Sequence, residues 1–435
     1  MGEDMHGFNR VDFAGVGVAL SRDGSTVVYG APEDGIWMSY EDTMMYNRRG
    51  PGYVVVERWN SQAGQWEAAG NAMYGTGSRY RNFGTSVALS ADGTRLVVGE
   101  PTQIPYTSHV HAYIWDENLM DWLPLPSPDG IVVADSTALC GVSVAMSDDG
   151  STIATGCAVH GYEREPGHAK VFKWDADNNA WTQRGTDFPV AKNGTQVALS
   201  ADGNVIAIGT SKIWPDHDFF DPRYDAGHVH VFEWDDALGD WVQRGESFLG
   251  ETETETGASV ALSANGSVLA YGMPHYGTWD HRGDVAVHEW DGSSWVPKGA
   301  VMSDIGAHDR SHMGESLALS ADGNVIAIGA HAILFRDNTT RDGHYHAHVF
   351  AWNSAASTWQ EVGTGVDGGS DDGFSPSIPE NPRAYSSVAI SGDGTRLAYG
   401  AWPWRGYDGG MGYLDFEEND WSKGLVRVFD ARWVR

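Results

Sequence analysis

Residues 196–209 read Q-V-A-L-S-A-D-G-N-V-I-A-I-G. Near-copies begin at Gly17 (G-V-A-L-S-R-D-G-S-T-V-V-Y-G), Ser86 (S-V-A-L-S-A-D-G-T-R-L-V-V-G) and Ser143 (S-V-A-M-S-D-D-G-S-T-I-A-T-G), and the motif returns from Ser259, Ser316 and Ser387. Each copy is a β-hairpin by local physics. V-A-L and V-I-A-I are apolar, β-branched strand residues. D-G between them, or Asn265-Gly266, supplies the positive φ of a tight turn. The near-continuous apolar runs imply strands buried on both faces.

Outward from this hairpin the repeat grows to four strands. A variable stretch leads to a third strand that ends in Trp, as in Gly227 to Trp234 (G-H-V-H-V-F-E-W), and a fourth strand opens with Trp, as at Trp241. The pairs Trp59/Trp66, Trp115/Trp122, Trp174/Trp181, Trp234/Trp241 and Trp352/Trp359 share one spacing, and Trp290/Trp295 has a shorter turn. The last repeat carries Ala431 in place of the first Trp and keeps Trp433. Equivalent apolar positions (Leu20, Leu89, Met146, Leu199, Leu262, Leu319, Ile390) recur every 53 to 71 residues. The residues before Leu20 and after Ile390 together make one further repeat length, so a ring closes without remainder. Seven units of four antiparallel strands predict an all-β chain, a seven-bladed β-propeller with residues 1–435 as one domain.

Composition agrees. The 435 residues include 55 Gly and 19 Trp, which suits many short strands and turns. The formal charge of −31 argues against a nucleic-acid backbone or an anionic membrane surface as main partner. No run of about 20 apolar residues offers a membrane-spanning helix. The start M-G-E-D-M-H-G-F has neither a basic segment nor an apolar run, so no signal peptide is expected in it. Two cysteines, Cys140 and Cys157, exclude a disulfide scaffold. They fall nearly opposite each other across the Asp148-Asp149-Gly150 turn, where either a cross-strand disulfide or two buried thiols would fit.

The repeat resembles the FG-GAP family, the repeat of integrin α-subunit propellers and of many microbial and algal proteins. Phe83-Gly84 before the first strand, Gly30-Ala31-Pro32 after the second and Gly227-His228-Val229-His230-Val231-Phe232 in the third carry the resemblance, with weaker copies at Gly99-Glu100-Pro101 and Gly272-Met273-Pro274. It covers almost the whole chain and implies the propeller fold, a binding role and a place outside the cell or on its surface. Some integrin repeats carry a calcium loop of several Asp between the first two strands. Here the turn is S-A-D-G-N or similar, too poor in carboxylates for the six to eight oxygens calcium takes. No calcium is expected there, and the Asp reads as a turn former.

Strand alternation sorts the connections onto two faces. The one–two and three–four turns are short and alike. The two–three and four–one loops are long and unlike each other, and irregular loops on a scaffold are where binding sites usually sit. Thirteen Trp occupy the repeated strand positions; the other six, Trp37, Trp214, Trp279, Trp402, Trp404 and Trp421, all fall in two–three loops. Grouped aromatics suit recognition of protein or glycan, though long loops also use Trp for small cores of their own. The same loops hold His217 and Arg223 in unit four, His275 and Arg282 in unit five, His331 in unit six and Arg405 in unit seven. Such polar groups suit a polar ligand.

Seventeen His raise the question of a metal. The H-x-H pairs His109/His111, His228/His230 and His346/His348 could each chelate along one strand face. They recur at one repeat position, with His168 beside them, and read first as part of the repeat. A better metal geometry would gather one His per blade near the hub, His160, His275 and His331 with Glu33 and Glu100, though these stand at unequal offsets after the strand-two Gly. No nucleophile elbow or P-loop occurs, and the Ser near the start of five first strands (Ser86, Ser143, Ser259, Ser316, Ser387) reads as a packing position. Three readings follow: a non-catalytic binding module, an enzyme with a site on the long-loop face or in the channel, and a structural subunit of an assembly.

Overall fold

A computed structural model describes residues 1–8, 12–32, 51–75, 82–102, 107–126, 130–135, 138–158, 167–189, 193–212, 226–252, 254–274, 283–303, 312–335, 341–363, 365–367, 385–402 and 424–430. Their strands form seven antiparallel sheets, six in the order first–second–third–fourth; in the seventh the described strands are the first three, with Met5–His6 on the edge of the third. Blade one is Val18–Leu20, Thr26–Ala31, Tyr53–Asn60 and Gln65–Ala68; blade two is Val87–Leu89, Arg95–Glu100, Ser108–Asp116 and Asp121–Pro124. First strands of neighbouring blades pack on one another around the whole ring, including Val18–Leu20 of blade one on Tyr385–Ile390 of blade seven. The first strands therefore form the hub and the fourth strands the rim. This is a seven-bladed β-propeller.

The repeated motif explains itself at the hub. In S-x-D-G the Ser hydroxyl receives the N–H that opens the second strand and donates to the Asp: Thr26 N to Ser21 Oγ is 2.9 Å, and Ser21 Oγ to Asp23 Oδ1 is 2.7 Å. Asn265 Oδ1 takes the same role from Ser263 at 2.8 Å, so the turn needs the acceptor oxygen rather than the charge. The residue between Ser and Asp does something a single hairpin cannot reveal. Its N–H donates to the carbonyl of its counterpart in the next blade, from Arg22 to Ala91, Asp148, Ala201, Ala264, Ala321 and Gly392, and from Gly392 back to Arg22, at 2.7–2.9 Å throughout. A closed circuit of backbone hydrogen bonds thus rings the turn-side end of the hub. The side chains of Arg22 and Asp148 form an ion pair between blades one and three.

Glycine on the second strand admits the neighbouring blade. A Cβ on Gly272 would lie 1.9 Å from the Gly314 carbonyl oxygen of blade six, so no larger residue fits without parting the blades. The Ser before the first strand also reaches across, as in Ser259 Oγ to Gly314 O at 2.6 Å.

The Trp pairs latch the rim. Rings within a pair stand 5.3–5.6 Å apart, edge to face or tilted. The fourth-strand indole donates to the preceding blade: Trp181 to Leu125 O, Trp241 to Arg184 O, Trp295 to Arg244 O and Trp359 to Lys298 O, at 2.8–2.9 Å. A cation from the preceding blade covers the other ring of the pair, with Arg184 4.3 Å above Trp234 and Arg244 4.9 Å above Trp290.

Two features go beyond the expected repeat. In six blades a short extra strand, such as Phe188–Pro189, pairs with the start of the third strand. The fourth strand covers only the Trp end of that edge, and the extra strand satisfies the remainder. In blade seven Met5–His6 fills this place, pairing with Leu425–Val426, while Asp4 receives Arg427 at 2.5–2.6 Å. The N-terminal remainder therefore closes the ring by strand pairing. Positions 431–435, with Ala431 and Trp433, lie outside the described residues.

Candidate functional site

Antiparallel pairing puts the ends of the second strands and the starts of the third strands opposite the D-G turns. The connections 33–50, 213–225, 275–282 and 403–423 leave from and return to this face. Most nominated residues sit in them. Trp37, His160, Trp214, His217, Arg223, His275, Trp279, Arg282, Trp404 and Arg405 lie outside the described residues, as do Glu33 and Trp421. The remaining two correct the expectation of loops. His331 falls within the second strand of blade six, Val325–Phe335, in register with Tyr345, and Trp402 ends the second strand of blade seven opposite Tyr385. In blade six the apolar run Ala332-Ile333-Leu334-Phe335 continues the strand pattern past the usual Gly, so the hairpin lengthens.

The described part of this face holds a polar cluster in blade two. Glu100 closes the second strand directly opposite His109, and Val98, two residues earlier, stands opposite His111. Residues two apart share a strand face, so one carboxylate and two imidazoles meet. Glu100 Oε2 is 2.6 Å from His111 Nε2 and 3.8 Å from His109 Nδ1. The Glu100 side chain is wholly buried, His111 nearly so, and His109 retains 14% exposure. Phe83 stands edge-on to His111 at 5.5 Å. Burial, and then the Glu100 charge, pushes the Tyr113 hydroxyl well above its ordinary pKa. The base of the following connection is tied by Thr102 N to Ser108 Oγ at 3.0 Å and Ser108 Oγ to Thr102 O at 3.1 Å. A buried carboxylate of this kind is tolerated because it is hydrogen-bonded.

The same repeat positions differ in the other blades. In blade three they hold Cys157, His168 and Lys170, and Cys157 is joined to Cys140 of the first strand in a disulfide across the hairpin. His168 Nε2 stands 4.0 Å from Cys140 Sγ, and burial, assisted by Lys170, lowers its pKa against the opposing pull of Asp187 and Asp135. In blade four Thr210 replaces the acid, and His230 pairs outward with Ser247 Oγ at 2.7 Å. Burial and the neighbouring His230 lower the His228 pKa to about 4. In blade six Ala330 replaces it, and His348 meets Glu361 at 2.7 Å on the rim strand. These outward bonds give the H-x-H pairs of blades four and six the structural role their periodicity suggests. Blade two departs from them through Glu100. That residue was legible only as a companion of hub histidines; the signal that ties it to His109 and His111 is the hairpin register, Gly99 opposite Val110.

No known protein family matches the sequence, and no curated protein matches it. Solved structures do. Sqt1 of Chaetomium thermophilum, bound to the N-terminus of a ribosomal protein, is 15% identical with a TM-score of 0.52, covering 98% of each chain. Periplasmic gluconolactonase of Pseudomonas aeruginosa is 14% identical (TM-score 0.45; 89% of this chain, 93% of that one). Oligogalacturonate lyase of Vibrio parahaemolyticus is 10% identical (TM-score 0.46; 98% and 90%). These likenesses concern the fold, which hosts binding proteins and enzymes alike.

Proposed function

We propose that this chain is a binding module of FG-GAP type that engages a protein or glycan ligand with the face opposite its D-G turns. The observation that carries the reading is the division of the Trp. In six blades the repeated Trp are accounted for by packing between blades, each pair in edge-to-face or tilted contact. The six outside the repeat, Trp37, Trp214, Trp279, Trp402, Trp404 and Trp421, all fall in sequence at the end of a second strand or between it and the third, and the described ends of those strands share one face. Large aromatics beside His217, Arg223, Arg282 and Arg405 suit ligands that offer both apolar and polar surface. The Cys140–Cys157 disulfide supports an oxidising compartment, in keeping with action outside the cell.

The test is a comparison of the full chain with a Trp402→Ala/Trp404→Ala variant on glycan and protein arrays. Signals that the variant loses while its circular dichroism is unchanged support the reading. An array without signals, or signals that survive in the variant, count against it.

A further inference from the structure

We propose that Glu100, His109 and His111 form a binding site for a divalent transition ion of the zinc class, contained within blade two. It lies at the blade-two end of the same face, and its donors include none of the aromatic residues. The donor set is two imidazole nitrogens and one carboxylate oxygen, the ligand types zinc takes. All three donor atoms lie within 4.8 Å of one another. A tetrahedral ion with bonds of about 2.0–2.1 Å holds its ligand atoms about 3.3 Å apart. The observed separations from Glu100 Oε2, 2.6 Å to His111 and 3.8 Å to His109, bracket that value. Side-chain rotation that opens the Glu100–His111 contact and closes the Glu100–His109 one brings the set into place, with the ion taking the position of the Glu100–His111 hydrogen bond.

The backbone supplies the pre-organisation. Hairpin register fixes Glu100 opposite His109 and beside His111, and the Thr102–Ser108 bonds clamp the chain that follows. Glu100 and His111 are sealed from solvent, while the partly exposed His109 offers the entry path. Three protein ligands leave a fourth position for water or an anionic ligand atom.

The comparison among blades argues that this is more than the repeat. His228/His230 and His346/His348 stand at the same positions, with Thr210 and Ala330 where blade two has its acid. In blade three the acid's position holds Cys157, which the disulfide consumes, and Lys170 stands where blade two has His111. Among the described residues, only blade two has a carboxylate on the second strand directly opposite the first His of an H-x-H pair; the acid that meets His348 in blade six, Glu361, lies on the rim strand.

The test is a Co2+ titration of the metal-free full chain, followed by its visible d–d absorption and by displacement with Zn2+. The wild type takes up one equivalent that both Glu100→Gln and His109→Ala lose, with affinity weakened at least about tenfold. His228→Ala/His230→Ala retains it. Glu100→Gln keeps the shape and a hydrogen bond to His111, and His109 is partly exposed, so two independent variants guard against misfolding. Absence of uptake by the wild type, or uptake that both variants keep, overturns the proposal.

Discussion

Replacing both Cys140 and Cys157 by Ala tests whether blade three is held by its cross-link. The bond closes a loop with a sequence separation of 17. Chain-entropy arguments put the stabilisation from a loop of that length at about 3 kcal/mol. Both cysteines are completely buried, and loss of two buried sulfurs adds roughly 1 kcal/mol each. Unfolding entropy scales with length, and for 435 residues it is about 0.9 kcal/mol per degree. If the ring unfolds as one unit, the variant melts about 3–6 °C below the wild type. Differential scanning calorimetry measures the shift, and a non-reducing peptide map shows the linked pair in the wild type. Two titratable thiols in denatured, unreduced protein would refute the bond. A melting point unchanged within 1 °C would refute the argument that it constrains the hairpin.

Gly272→Ala forces a Cβ to within 1.9 Å of the Gly314 carbonyl and 2.5 Å of Ser259 Oγ. A loss of about 3 kcal/mol or more in urea unfolding is expected, against about 1–2 kcal/mol for Gly239→Ala, a turn glycine with nothing within 4 Å. Arg184 covers Trp234 and donates to Gly203 O at 2.8 Å and Asn204 Oδ1 at 2.7 Å. Arg184→Ala therefore lowers stability by about 2 kcal/mol, partly recovered by Arg184→Lys, as read by denaturant midpoint. Burial holds His228 at about 4 in the fold, so the unfolded chain takes the proton first. Its contribution, at most about 3 kcal/mol, is present above pH 6.5 and is lost as pH falls from about 6.5 to about 4. His228→Phe should flatten that part of a melting-versus-pH curve.

The fold was legible because one fourteen-residue hairpin motif repeats with its turn chemistry intact. The ring closure followed from the spacing of Leu20 through Ile390, but its agent did not. Met5–His6 carries no strand pattern of its own and becomes a strand only because the edge of Leu425–Val426 needs a partner. Likewise, the residue between Ser and Asp is Ala in four blades but Arg22, Asp148 and Gly392 in the others, and nothing in those side chains betrays a circuit made by their peptide groups. The blade-two cluster escaped notice because periodicity assigned His109 and His111 to the repeat. Glu100 joins them through pairing between strands, which a linear reading of motifs does not carry. The lengthened hairpin of blade six was hidden by the Gly329 stop signal, overridden by the apolar residues after it.

The central claim is that ligand engages the face opposite the D-G turns. Hydrogen–deuterium exchange with a binder recovered from the arrays tests it most directly. The account predicts protection in segments 33–50, 213–225, 275–282 and 403–423 and none at the Ser-x-Asp-Gly turns. Protection confined to those turns, or to the Trp-bearing rim, would contradict it.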